Sequence, residues 1–241
     1  MGKSSTAYGQ KFTTLLNKIK RAHRADMPDL RDPITELIIG FLQWNASRRM
    51  AQSALTRIED TVVDHNDLRV SHTDEIVNMI GAGYPQASER AARLHDSLQE
   101  IFAREHTLAL DVLADKPKKE ARGYLESLPG MTPYVAAHVT LRSFDGHAIP
   151  VDDRLADLLR HEQVVDSEAD VSEITGFLER HILADSAPQA YAALKAWADA
   201  GTRRVSTGRT ATVARKTGIA KRPTSKAGRS QSGGRRTRVR R

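Results

Sequence analysis

Residues 125–160, LESLPGMTPYVAAHVTLRSFDGHAIPVDDRLADLLR, decide how the rest of the chain is read. Pro129-Gly130 is a breaker pair that ends one helix, and Thr132-Pro133 supplies an N-cap followed by proline at the first helical position. A second helix therefore starts there. Val135, Ala136, Val139 and Leu141 give it a small, closely packing face, and Arg142-Ser143-Phe144-Asp145-Gly146 is its exit. After Ile149-Pro150 the chain restarts at Val151-Asp152-Asp153, where either carboxylate can cap a third helix carrying Leu155, Leu158 and Leu159. The pattern is helix, tight hairpin, helix, short loop, helix.

The same helical period runs outward from this stretch. Phe12, Leu15, Leu16 and Ile19 predict a helix over 8–24. Ile34, Leu37, Ile38, Phe41 and Leu42 predict one from 33 to about 44, apolar on several sides and hence central. Ser47 can cap a helix that turns Met50, Leu55, Ile58 and Val62 inward. Further helices are expected near 73–81, 86–103 and 107–126, and two closing helices over 173–183 and 189–200. No alternating strand pattern competes, so the fold class is all-α.

The 241 residues suffice for one large or two small domains with a real core. There is no cysteine, which excludes a disulfide framework and a thiolate metal site. The nine histidines show no ligand spacing, so neither a metal nor a cofactor is expected. No segment reaches the length of a membrane span, and the N-terminus has no apolar leader. The expectation is a soluble monomer, cytoplasmic and nucleoid-associated in a bacterium or nuclear in a eukaryote.

The net charge of +7 hides a division. Residues 202–241 hold 14 of the 37 Lys and Arg and no Asp or Glu, so the remaining 23 basic residues face 30 acidic ones. The body is thus mildly acidic, and attraction to a polyanion belongs mostly to the tail. That tail has almost no large apolar side chain and is expected to be disordered. It reads either as a solubilising end or as a non-specific nucleic-acid arm, with Arg203, Arg204 and Lys216 among the contacts.

These motifs resemble the helix-hairpin-helix DNA glycosylases related to endonuclease III. Leu128, Pro129, Gly130, Met131 and Ala136 match their hairpin, and Val151-Asp152 matches the V-D that opens a later helix. Asp32-Pro33-Ile34 resembles the D-P-F helix that opens their helical domain. Tyr134 stands at the family's lysine position, and its eighteen-residue spacing to Asp152 is the family's own. The resemblance spans about 31–200. It implies a six-helix domain over 31–144, a discontinuous second helical domain from 1–30 with 145–201, and a groove for double-stranded DNA between them. Many members carry a four-cysteine iron-sulfur cluster; this chain cannot.

By the same resemblance Asp152 is the catalytic carboxylate. Glycosidic cleavage builds positive charge on the sugar, which a fixed carboxylate stabilises while orienting water. As an isolated residue it reads first as a helix N-cap, and the resemblance is what turns the reading to catalysis. Members that also cut the strand use a lysine amine where this chain has Tyr134, and a phenol forms no Schiff base. The implied activity is base removal without lyase chemistry. In the hairpin, Gly130, Met131 and Thr132 are the candidate phosphate contacts, because a helix N-terminus presents free N–H groups. Thr132 in place of the motif's second glycine and Pro133 depart from that pattern, and an ordinary proline-capped turn is the competing reading. Gln43, Trp44 and Asn45 fall where the family lines its base pocket or enters the duplex, and Trp44 is also a candidate core residue. A non-catalytic DNA-binding relative is the alternative function.

Overall fold

The computed structural model describes the backbone of residues 2–23 and 28–216, with side chains over 7–23 and 28–201. It is helical throughout, and among the described residues there is no β-strand. In chain order the helices are α1 (Gly2–Ala22), α2 (Pro33–Gln43), α3 (Arg48–Thr61), α4 (His65–Val70), α5 (Thr73–Ile80) and α6 (Ala87–Glu105). They continue with α7 (Lys118–Glu126), α8 (Pro133–Ser143), α9 (Asp153–His161), α10 (Val171–His181) and α11 (Ala187–Lys216). No described helix is long and apolar enough to cross a membrane, and the described residues contain no cluster of three or more potential metal ligands.

Local chemistry sets most helix starts. Asp32 accepts from the amides of Ile34 and Thr35 with Pro33 at the first position, Ser47 accepts from Met50, and Thr132 accepts from Val135. Asp152 accepts from Leu155, and Asp170 closes a capping box with Glu173. Two elements differ from the sequence reading. The helix expected over 107–126 is a 3-10 turn at Asp111–Leu113 followed by α7, which starts after Pro117. A proline in a helix interior removes a backbone donor and clashes with the preceding turn, so the helix begins only beyond it. The unanticipated α4 has six residues with Leu68 alone buried, too short to display a period.

The described residues up to Arg204 form one compact unit. Its buried side chains fall into two apolar clusters. One gathers Leu37, Phe41, Ile58, Leu94 and Val135 from the helices α2 to α8, and the other gathers Phe12, Leu155, Leu178 and Leu194 from α1 and α9 to α11. Helix α8 serves both, with Val135 and Val139 in the first and Ala137 and Leu141 in the second. Every residue from Tyr134 to Leu141 is consequently buried. Gly40 lets α2 lie close along α8, since a Cβ there would come within 3.2 Å of Val135 and 3.3 Å of His138.

The C-terminal helix continues in its backbone to Lys216, beyond the boundary at 201 drawn from composition. Arg203, Arg204 and Lys216 lie outside the described side chains, and 217–241 lie outside the described residues altogether.

Candidate active site

The hairpin between α7 and α8 is fixed by contacts within the protein. Gly130 has φ +75, and a Cβ on it would lie 2.4 Å from the Arg93 carbonyl oxygen on α6. The glycine is therefore required for close packing against α6. Ser97 donates to the Pro129 carbonyl and the Arg93 guanidinium to that of Gly130, at 2.8 and 3.3 Å. The amide of Met131 closes the turn onto Leu128, and the Thr132 hydroxyl occupies the amide of Val135. Thr132 is itself buried, whereas Met131 is half-buried.

The C-terminal end of α2 carries carbonyls without intrahelical partners. Three side chains from distant segments satisfy them: Arg90 donates to Phe41 and Trp44, the Tyr84 hydroxyl to Leu42, and Lys195 to Gln43. Arg90 is fully buried. Two cations at the negative end of the helix dipole are favourably placed.

Lys195, on α11, also reaches the second carboxylate oxygen of Asp152 at 3.1 Å, while the first oxygen caps α9 through the Leu155 amide at 2.9 Å. Both side chains are almost inaccessible, at 3% and 1% exposure. Burial holds the Lys195 ammonium below its usual pKa, against the opposing pull of Asp152 and Asp199. The amine lies 5.1 Å over the ring of Tyr134. Burial likewise pushes the Tyr134 phenol well above its ordinary range.

From Tyr134 a chain of polar groups runs out to a cleft. Its hydroxyl meets that of Tyr191 at 2.7 Å, Tyr191 meets His138 Nδ1 at 3.3 Å, and His138 Nε2 meets Glu36 at 3.0 Å. Arg142 holds the other oxygen of Glu36 at 2.9 Å. Burial alone would raise the Glu36 pKa, yet the hydrogen bonds and charges of His138 and Arg142 bring it to about 2. Burial also lowers the pKa of His138. A neutral imidazole donating from Nε2 to the ionised Glu36 accepts at Nδ1 from Tyr191, which in turn accepts from Tyr134. The cleft, of ≈ 570 Å³, is bordered by Glu36, Gln43, Arg49, Gln52, His138 and Tyr191.

No protein-family model matches the sequence, and no curated protein matches it either. Solved structures do match in three dimensions. Endonuclease III trapped covalently on DNA superposes with a TM-score of 0.63 at 16% identity, over 78% of this chain and 84% of that one. The Clostridium acetobutylicum 8-oxoguanine glycosylase/lyase on DNA gives 0.64 at 18% identity, over 82% and 70%. The H. pylori 3-methyladenine DNA glycosylase gives 0.58 at 14%, over 79% and 97%. The chain has the helix-hairpin-helix DNA glycosylase fold.

On that fold the structure brings Asp152 and Tyr134 into one buried cluster through Lys195, and Gln43 joins it by its backbone carbonyl. Gln43 also borders the cleft. The half-buried Trp44 packs on the first cluster, with Arg90 and Arg93 each 5.6 Å over its ring. The amide side chain of Asn45 is engaged with Asp153, donating at 2.8 Å and accepting from its backbone N–H at 3.1 Å. Arg90, on α6, is a buried cap of the α2 C-terminus. The sequence reading missed Lys195, Tyr191 and Glu36. For Lys195 a signal existed: Tyr191, Leu194, Lys195 and Ala198 share one helical face that is otherwise apolar. For Glu36 it was the one carboxylate inside the apolar helix PITELIIGFLQ.

Proposed function

We propose that this protein is a DNA glycosylase that hydrolyses the N-glycosidic bond of a damaged or mismatched base and leaves the abasic strand intact. The observation that carries the reading is the buried meeting of Asp152, Tyr134 and Lys195, joined through Tyr191 and Gln43 to a cleft of ≈ 570 Å³, on a fold shared with glycosylases solved on DNA. In this reading the target base leaves the stack and enters the cleft. Asp152, fixed at one oxygen by the α9 amide and at the other by Lys195, supports the positive charge that develops on the sugar and orients the attacking water. Tyr134, kept a neutral phenol by burial, offers hydrogen bonding and no amine. The hairpin at Gly130, Met131 and Thr132 lies against the DNA backbone, and the basic tail adds sequence-independent affinity. The partner is double-stranded DNA, and the protein works as a monomer without metal or cofactor.

The position of Lys195 favours a second reading. Its amine occupies the neighbourhood of Asp152 from a different helix, so a Schiff base with the abasic sugar and β-elimination would need no lysine at position 134.

Single-turnover incubation with duplexes containing uracil, mismatched thymine, alkylated or oxidised bases separates the readings. The expected result is strand breaks that appear only after alkali, with no borohydride-trapped adduct. Breaks without alkali that disappear in Lys195→Met establish the second reading. Intact duplexes throughout, with salt-sensitive binding retained, make the protein a non-catalytic DNA-binding relative. Removing residues 202–241 weakens binding and flattens its salt dependence without abolishing turnover at low salt.

A further inference from the structure

The electrostatic character of the cleft selects among bases. Four arginines border it, Arg31, Arg48, Arg49 and Arg142, against two carboxylates, Asp29 and Glu36. Glu36 is already compensated by its contact with Arg142 at 2.9 Å, and Arg31 by Glu59 at 3.0 Å. Arg48 is anchored, its guanidinium donating to the Ala192 carbonyl at 3.0 Å and its amide to Asp199. Arg49 is exposed, and no hydrogen bond or ion pair engages its side chain among the described residues. The same holds for the side-chain amides of Gln43 and Gln52. Arg48 and Arg49 also open α3, whose first turn holds no acidic residue. Cations at the positive end of a helix are unfavourable for the helix itself, and both add to the positive potential of the cleft.

Bases part from the sugar in two ways. A neutral base bearing an N–H between two carbonyls departs as an anion. An N-alkylated purine already carries positive charge and departs neutral. A cationic cleft stabilises the first departure and repels the second substrate. Free amides are suited to the first as well, because Gln43 and Gln52 can each donate to a carbonyl and accept from an N–H.

Resting on the glycosylase reading above, we infer that the cleft takes neutral, carbonyl-bearing bases of the imide type, with Arg49 stabilising the departing anion and Gln43 and Gln52 reading its edge, and discriminates against cationic alkylated bases.

The test measures single-turnover excision of uracil and of N7-methylguanine from otherwise identical duplexes by the full-length protein and by Arg49→Glu, with circular dichroism to confirm the fold. The expected result is excision of uracil by the wild type, and a loss of about tenfold or more in Arg49→Glu for uracil, with N7-methylguanine unchanged or improved. Gln52→Ala is expected to slow uracil excision with less effect on DNA affinity. Preference of the wild type for N7-methylguanine overturns the inference while leaving the glycosylase reading intact. So does an equal loss on both substrates in Arg49→Glu, which would make Arg49 a backbone contact. Absence of excision from both and from the wider duplex panel removes the glycosylase reading itself.

Discussion

Two buried polar groups sit within a few residues of one another, and they are built differently. The Asp152–Lys195 pair is closed on itself. Asp152 is at the positive start of α9 and Lys195 at the negative end of α2, so each charge is compensated by a helix terminus as well as by its partner. The Glu36–His138–Tyr191 group borders the cleft, and its charge is balanced by Arg142 at the cleft's edge. The first arrangement holds a carboxylate rigidly; the second passes a hydrogen-bond polarity from the cleft's edge to a buried phenol. A charged pair that doubles as two helix caps is structural and chemical at once, and variants must be designed to separate those roles.

The largest effect is expected where the closed pair is broken. Asp152→Leu strands a buried ammonium, and the urea midpoint should reveal a loss of about 3–5 kcal/mol. Asp152→Leu with Lys195→Met should recover much of it; no recovery would mean that the cap at Leu155, rather than the pair, carries the stability. Next comes Tyr191→Phe, which leaves His138 Nδ1 and the Tyr134 hydroxyl without their shared partner at a cost of about 1–3 kcal/mol. A variant as stable as wild type would show that water takes the place of the hydroxyl and that the chain of groups is open to solvent.

The pH dependence sharpens the same contrast. His138 has a folded pKa below its ordinary 6.5, so the stability it contributes is complete above that value and declines as pH falls toward the folded pKa. Glu36, with a folded pKa of about 2 against 4.5, contributes stability that is lost as pH falls from 4.5 toward 2. Thermal melts from pH 8 to 3 should show both declines in the wild type, and Glu36→Gln should flatten the lower one. The smallest effect is that of Asn45→Ala, which removes a bridge to the start of α9 and should cost about 0.5–2 kcal/mol.

The fold was legible because its punctuation is local. Asp32-Pro33, Ser47, Pro129-Gly130, Thr132-Pro133 and Asp152 act within three residues of themselves, and each marks a helix boundary in the structure. Pro117 is local as well, yet the apolar period around it masked the break. The site was legible only in part. Asp152 and Tyr134 lie in a contiguous motif, but their partner Lys195 is 43 residues beyond Asp152, and Glu36 is 102 residues before His138. Nothing in one sequence pairs such residues; only a charged side chain on an apolar helical face hints that a buried partner exists. Gly130 was legible as part of the break between two helices, whereas the close packing of its backbone on α6 was not.

Asp152 has a proposed role in chemistry in addition to its structural duty. The most direct measurement is the single-turnover excision rate of Asp152→Asn on the best duplex substrate, with melting temperature and DNA affinity recorded on the same preparations. Asparagine keeps its one oxygen for the Leu155 amide and loses the acceptor that faces Lys195, whose ammonium retains the Gln43 carbonyl, so the protein should fold with a lowered melting temperature and bind DNA while excision falls by about a hundredfold or more. A folded, DNA-binding Asp152→Asn that excises at the wild-type rate would contradict the account and leave Asp152 as a helix cap.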